Sequence, residues 1–166
     1  NNSLSNQLLL EMGVQQTWIE GRLVFLDFNS SELTNIPESI GDLSELITLW
    51  IPSNQINSIP ENIGNLDMLV FLGLQNNLIE SVPESIGNLS SLEHLILYDN
   101  QITSLPESII NLLNLSTLSL SDNLITNFNF VCDIPINCEI WLDGNEFCEE
   151  EYYDCIDYIG IQDCEE

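Results

Sequence analysis

The chain repeats itself every 23 residues, and this constrains its fold more than anything else in the sequence. Pro37, Pro60, Pro83 and Pro106 keep the step, and Glu38, Glu61, Glu84 and Glu107 follow them. Leu46, Leu69, Leu92 and Leu115 keep it, as do Leu49, Leu72, Leu95 and Leu118, and Asn54, Asn77, Asn100 and Asn123. The unit reads Pro-Glu-x-Ile-x-x-Leu-x-x-Leu-x-x-Leu-x-(Leu/Ile)-x-x-Asn-x-Ile. Upstream, Leu23, Leu26, Phe28 and Leu33 fit the frame, with Ser31 in the Asn slot. Downstream, Ile140, Leu142, Asn145 and Phe147 fit after a 22-residue step, with Asn137 in a leucine slot. That makes about six units, and a period of this length marks a stacked-repeat solenoid.

Each slot has a physical reason. In Leu-x-x-Leu-x-Leu the inward side chains alternate along a short strand and the x positions face out. Parallel strands of successive units lie about 4.8 Å apart. No unit buries its apolar face alone, so stability is a sum over neighbours. The recurrent Asn turns the chain out of the strand and satisfies backbone groups inside that turn. The prolines set an extended return on the opposite side. The Ile-Gly-x-Leu after them suits a 3₁₀ or short helical turn.

These residues carry a resemblance to the leucine-rich repeat family over roughly residues 21–147. The phrase Ile-Pro-Glu-Ser-Ile-Gly-Asn-Leu looks like the repeats of plant and secreted bacterial members. The resemblance implies an α/β solenoid with about six parallel strands on a concave face and short 3₁₀, helical or extended convex segments. It also implies ligand binding on the concave face. The chain then reads as a single domain over 1–166: an N-terminal cap over 1–20, repeats over 21–147 and a Cys-rich cap over 148–166. In the first cap, Leu8, Leu9, Leu10 and Met12 suit a short helix with Ser5 as N-cap and Gly13 as its stop. Trp18 and Ile19 would pack on the first strand.

The five cysteines, Cys132, Cys138, Cys148, Cys155 and Cys164, all lie near the C-terminus. Clustering at one end implies a stapled cap. The close pairs Cys132–Cys138 and Cys148–Cys155 are the favoured bridges and Cys164 the odd thiol, with the connectivity itself open. Tyr152, Cys155, Ile156 and Ile159 share one helical face. The run from Cys148 to Cys164 is similar to C-terminal caps of secreted leucine-rich repeat proteins of marine bacteria. No CxxC pair occurs and His94 is the lone histidine, so neither a metal site nor a cofactor is expected. Disulfides imply an oxidising place: the periplasm, the cell surface or the medium. The chain opens at Asn1 without Met, so a leader peptide is expected to precede it.

Charge narrows the partners. There are 27 Asp plus Glu against one Lys or Arg, for a net charge of -26. A nucleic-acid partner is excluded, because phosphate neutralisation needs cations. Docking on anionic lipid is disfavoured for the same reason, and no apolar run reaches the roughly 18 residues of a membrane span. The glutamates at 38, 61, 84 and 107 form a ladder. At about 5 Å two such charges repel by roughly 0.8 kcal/mol in water, which strong salt screens, so the composition suits a marine or saline setting. The simplest reading of this ladder is a solvated flank; a cation-binding edge is the alternative.

The informative residues are the outward strand positions. One column reads Phe25, Thr48, Phe71, His94, Thr117, Glu139. The next reads Asp27, Trp50, Gly73, Ile96, Ser119, Trp141. The third reads Asn29, Pro52, Gln75, Tyr98, Ser121, Asp143. A merely structural face would be polar, yet Phe25, Trp50, Phe71, Ile96 and Tyr98 gather in the first four units, as interface residues do. With Asp27, Gln75 and His94 they make the candidate ligand-binding set. Because these side chains point outward, Trp50→Ala is expected to cost only about 0.5 kcal/mol. His94 lacks a triad, so catalysis is not expected. The reading is a secreted or cell-surface module that binds a protein or peptide. The rivals are sugar stacking on Phe25, Trp50 and Tyr98, and a structural or adhesin segment of a larger surface protein.

Overall fold

The computed structural model describes residues 15–126, 133–135 and 138–146. Among them seven strands form one sheet in chain order: β1 (Gln15–Ile19), β2 (Arg22–Asp27), β3 (Thr48–Trp50), β4 (Phe71–Gly73), β5 (His94–Ile96), β6 (Thr117–Ser119) and β7 (Glu139–Trp141). Strands β2 to β7 are parallel and in strict register, so Leu26, Leu49, Leu72, Leu95, Leu118 and Ile140 form one cross-strand column. All but Ile140 are buried, and Leu46, Leu69, Leu92 and Leu115 lie beneath them. This is the six-strand parallel stack that the repeat implies.

At the N-terminal side the chain does something the repeat does not. β1 runs antiparallel to β2, joined through Glu20 and Gly21, both at positive φ, with a bulge between Thr17 and Trp18. Trp18 and Ile19 were expected to pack down on the first strand. They pair edge-on with Leu23 and Arg22 and stay 40% and 56% exposed. A two-residue turn with a positive-φ Gly joins strands whose twist it matches, so the hairpin extends the sheet. The helix expected at 4–12 lies outside the described residues, as do Cys132, Cys148, Cys155 and Cys164.

Opposite the sheet, each prolyl carbonyl accepts the N–H three residues on and starts a 3₁₀ turn: Glu38–Asp42, Glu61–Asn65, Glu84–Asn88 and Glu107–Asn111. The turns stack, and Gly41, Gly64 and Gly87 show how tightly. A Cβ at any of them would collide with the carbonyl oxygen of Asn62, Ser85 or Ser108 in the next turn. The first glutamate of the ladder also couples neighbours, since the Glu38 carboxylate accepts the Asn62 N–H at 3.3 Å.

The asparagine ladder is the main polar element of the interior. Asn77 Oδ1 accepts the N–H of Ile56 in the preceding coil at 3.0 Å, while its Nδ2 donates to Ile51 O at 2.9 Å and Leu74 O at 3.0 Å. Asn100, Asn123 and Asn145 repeat the pattern. Asn145 is fully buried, so the frame continues through β7 despite the 22-residue step. The residue before each Asn is left-handed: Ser53, Asn76, Asp99 and Asp122 at φ 54 to 56, and Gly144 at φ 66.

Candidate functional site

The alternation of a strand sends the other two columns to the open face of the sheet. The register sets Phe25, Thr48, Phe71, His94, Thr117 and Glu139 side by side, and Asp27, Trp50, Gly73, Ile96, Ser119 and Trp141 beside them. Three of the expected site residues meet directly. The Trp50 and Phe71 rings are 5.3 Å apart at 50°, and the Phe71 and His94 rings 5.6 Å apart at 46°. Tilted pairs at this distance add roughly 0.5–1.5 kcal/mol beyond burial. One aromatic run therefore crosses β3, β4 and β5.

Trp50 does not stand straight off its strand. It lies over Gly73 on the next strand, where a Cβ would collide with its Cε3 and Cζ3 and come within 3.1 Å of Phe71 Cε1. Lying back in this way leaves space above Thr48. A recess of about 330 Å³ opens there, lined by Phe25, Asp27, Thr48, Trp50 and Phe71. The Asp27 carboxylate is oriented by the backbone that follows it, because its Oδ1 accepts the Asn29 N–H at 2.8 Å.

The remaining expected residues divide. Ile96 and Tyr98 are half-buried; Ile96 is the register partner of Gly73, and Tyr98 lies two residues further along the chain. Gln75 departs from its expected outward, solvent-facing role. It is 4% exposed, and its Oε1 is buried without a hydrogen-bond partner among the described residues. It sits in its column between Pro52 and Tyr98, so it belongs to the floor of the face. His94 Nδ1 shares a hydrogen bond with Thr117 Oγ1 at 3.2 Å and approaches Ser116 Oγ at 3.4 Å. Ser116 Oγ already donates to Glu93 O at 2.9 Å, so its proton is turned away from the imidazole. Among the described residues no three His, Cys, Asp or Glu side chains converge as metal ligands would. Thr48 and Gly73 shape the recess although neither was among the expected site residues. A Gly within a strand, which marks close approach of a neighbour, was the available signal for the second.

Cys138 is half-buried, and among the described residues it has no disulfide partner. Its Sγ donates weakly to Glu139 O at 3.7 Å. Burial, and then the Glu139 carboxylate, push its thiol up to about 11, against a smaller opposing hydrogen bond from the Leu118 backbone. Its expected partner Cys132 lies outside the described residues, as does the expected pair Cys148 and Cys155. No helix among the described residues is long and apolar enough to cross a membrane.

Comparison with known proteins agrees with this architecture. A family model described as a leucine-rich repeat region matches residues 20–98 and, in a second match, 61–129. No curated protein matches the chain. Among solved structures, a leucine-rich repeat protein of Leptospira interrogans is 35% identical at a TM-score of 0.62, covering 64% of this chain and 28% of that one. The BIR3–SERK2 complex of Arabidopsis thaliana is 28% identical at a TM-score of 0.69, covering 93% and 85%. The plant peptide hormone receptor RGFR1 in complex with RGF2 is 31% identical at a TM-score of 0.59, covering 68% and 19%. This chain thus spans well under two thirds of the Leptospira protein and of the hormone receptor. With the family model covering most of the chain and the asparagine ladder continuous from Asn54 to Asn145, the chain belongs to the leucine-rich repeat family.

Proposed function

We propose that this chain is a secreted or cell-surface recognition module that holds a protein or peptide on the concave face of its sheet. The observation that carries the reading is the unbroken Trp50–Phe71–His94 run on three adjacent strands, flanked by half-buried Phe25, Ile96 and Tyr98. A sheet face needs no aromatics for stability when its core column lies on the other side. Aromatic clusters within a polar surround are where binding energy concentrates. The likeness to a plant peptide hormone receptor in complex with RGF2 and to the BIR3–SERK2 complex supports the same reading.

The reading is of binding, not of chemistry, because among the described residues His94 meets only hydroxyls and an aromatic ring. The test is affinity capture from secreted peptide and protein pools with the intact chain, the Trp50→Ala/Phe71→Ala double variant and Trp141→Ala as a control. Trp141 shares the face but is 55% exposed and lies on β7, away from the run. A ligand lost with the double variant and kept by the control supports the reading. Ligands indifferent to the double variant overturn it, and selective binding on a glycan array would reassign the face to sugars.

A further inference from the structure

The recess over Thr48 has a composition that selects a ligand chemistry. Phe25 and Phe71 flank Thr48 in one row of the sheet. Two strand spacings set their backbones about 9.6 Å apart, with only the small Thr48 side chain between. Trp50 leans toward Phe71 and away from this gap. Asp27 stands next to Trp50 in the second row. The result is aromatic walls, a small floor and one carboxylate at the rim.

That carboxylate has no Lys or Arg of its own chain free to pair with it. The sequence contains a single Lys or Arg, which is Arg22, and Arg22 is tied to Glu45 at 3.3 Å. A cation that neutralises Asp27 within the recess therefore comes from outside. An apolar side chain inserted here would cover an unpaired carboxylate, which is costly. A planar cation satisfies both parts of the recess at once, because it is attracted to aromatic faces and pairs with a carboxylate in two-point geometry. A lysine ammonium offers the charge without the plane. The net charge of -26 draws cationic ligands to the molecule and repels acidic ones.

We propose that this recess is an arginine socket: a guanidinium from a basic peptide enters between Phe25 and Phe71, lies against Trp50 and pairs with Asp27. The inference rests on the recognition reading above and names the chemistry that its face selects. Gly73 is a positioning residue for the socket, since any side chain there pushes Trp50 back over Thr48.

The experiment is titration of the intact chain with acetylated, amidated hexa-arginine, hexa-lysine and hexa-citrulline. Citrulline keeps the shape of arginine and removes its charge. Asp27→Asn preserves the Oδ1 that accepts the Asn29 N–H, and Glu107→Gln removes the same charge on the opposite side of the molecule. Hexa-arginine affinity is expected to fall about tenfold in Asp27→Asn, Trp50→Ala and Gly73→Ala, and by about twofold or less in Glu107→Gln. Hexa-arginine is expected to bind more tightly than hexa-lysine, and hexa-citrulline at least about tenfold more weakly than hexa-arginine. Thermal melts identify any variant that fails to fold, and Asp27→Asn, at the rim, decides the matter if Trp50→Ala or Gly73→Ala is lost. Equal losses in Asp27→Asn and Glu107→Gln, or equal binding of citrulline and arginine, overturn the socket in favour of diffuse attraction. A captured protein that needs Trp50 and Phe71 but ignores Asp27→Asn also overturns the socket, while leaving the recognition reading intact.

Discussion

Removing one asparagine from the centre of the ladder tests the account of what holds the coils together. Asn77 is 6% exposed. Asn77→Ala leaves the Ile56 N–H without its partner and takes a donor from Ile51 O, Leu74 O and Gln75 O. The carbonyls are not stranded. Leu74 O still accepts from Asn100 at 3.1 Å, Gln75 O from the Ser53 N–H at 3.0 Å, and Ile51 O keeps a long contact with Asn54 at 3.4 Å. The orphaned amide dominates, at about 1–3 kcal/mol, with smaller losses at the carbonyls, so the expected total is roughly 3 kcal/mol. Asn54 makes a similar set of bonds to Ser31, Leu33 and Phe28 in a part-exposed setting, where water replaces them. Asn54→Ala should therefore cost only about 1 kcal/mol. Urea unfolding followed by circular dichroism measures both. Asn77→Ala should also lower the slope of the transition, because breaking a central interface divides a nearest-neighbour array into separately melting parts. Equal costs at 54 and 77, or less than about 1 kcal/mol at 77, would refute the ladder as a buried, coil-to-coil bond system.

Further outcomes follow from other parts of the molecule. Ser53 holds φ 56 where the last coil has Gly144 at φ 66, so Ser53→Gly should raise stability by roughly 0.5 kcal/mol. Gly144→Ala should lower stability in the same urea unfolding, since its Cβ would meet the Asp122 carboxylate. With a net charge of -26, the melting temperature should rise as NaCl shortens the Debye length from about 30 Å at 0.01 M to about 3 Å at 1 M; a flat or falling curve refutes self-repulsion. While reduced, Cys138, its thiol raised from 9.0 to about 11, is neutral in the folded state between these values and ionised in the unfolded one. Its contribution to stability is thus complete below about pH 9 and lost as pH rises toward 11. Iodoacetamide should label it slowly at pH 8, where roughly a thousandth is thiolate, and peptide mapping would read rapid labelling as a contradiction.

The fold was legible because a repeat states its own geometry many times over. Leu49, Leu72, Leu95 and Leu118 recur at one interval and end in one column, and the prolines recur and each start a 3₁₀ turn. The direction of the asparagine bonds was less legible. The turn chemistry of Asn predicts local bonds, whereas half of those formed reach back one coil. The hairpin is not legible in the period, because it breaks it: Thr17-Trp18-Ile19 and Leu23-Val24-Phe25 carry a strand signal around Glu20-Gly21, and the first of these lies outside the 23-residue frame.

The open face was legible in direction and not in arrangement. Alternation says which side Trp50 leaves the strand, and on that ground alone its removal should cost little. It does not say that the indole turns sideways, because that depends on what the next coil presents. The next coil presents Gly73, and the indole settles over the bare backbone and against Phe71. Two consequences run in opposite directions. The aromatic contact raises the expected cost of Trp50→Ala from about 0.5 to about 1–2 kcal/mol, so the residue is more structural than its outward direction implies. The same lean opens the space above Thr48, so the residue also shapes the recess it walls. Gln75 shows the converse, since a polar side chain at an outward position is covered by its neighbours and its Oε1 left without a partner among the described residues. On a parallel sheet of short coils each outward side chain is thus placed by residues 23 positions away as much as by its own strand. A change at Gly73 should therefore be felt in the properties of Trp50 before it is felt in the stability of the core.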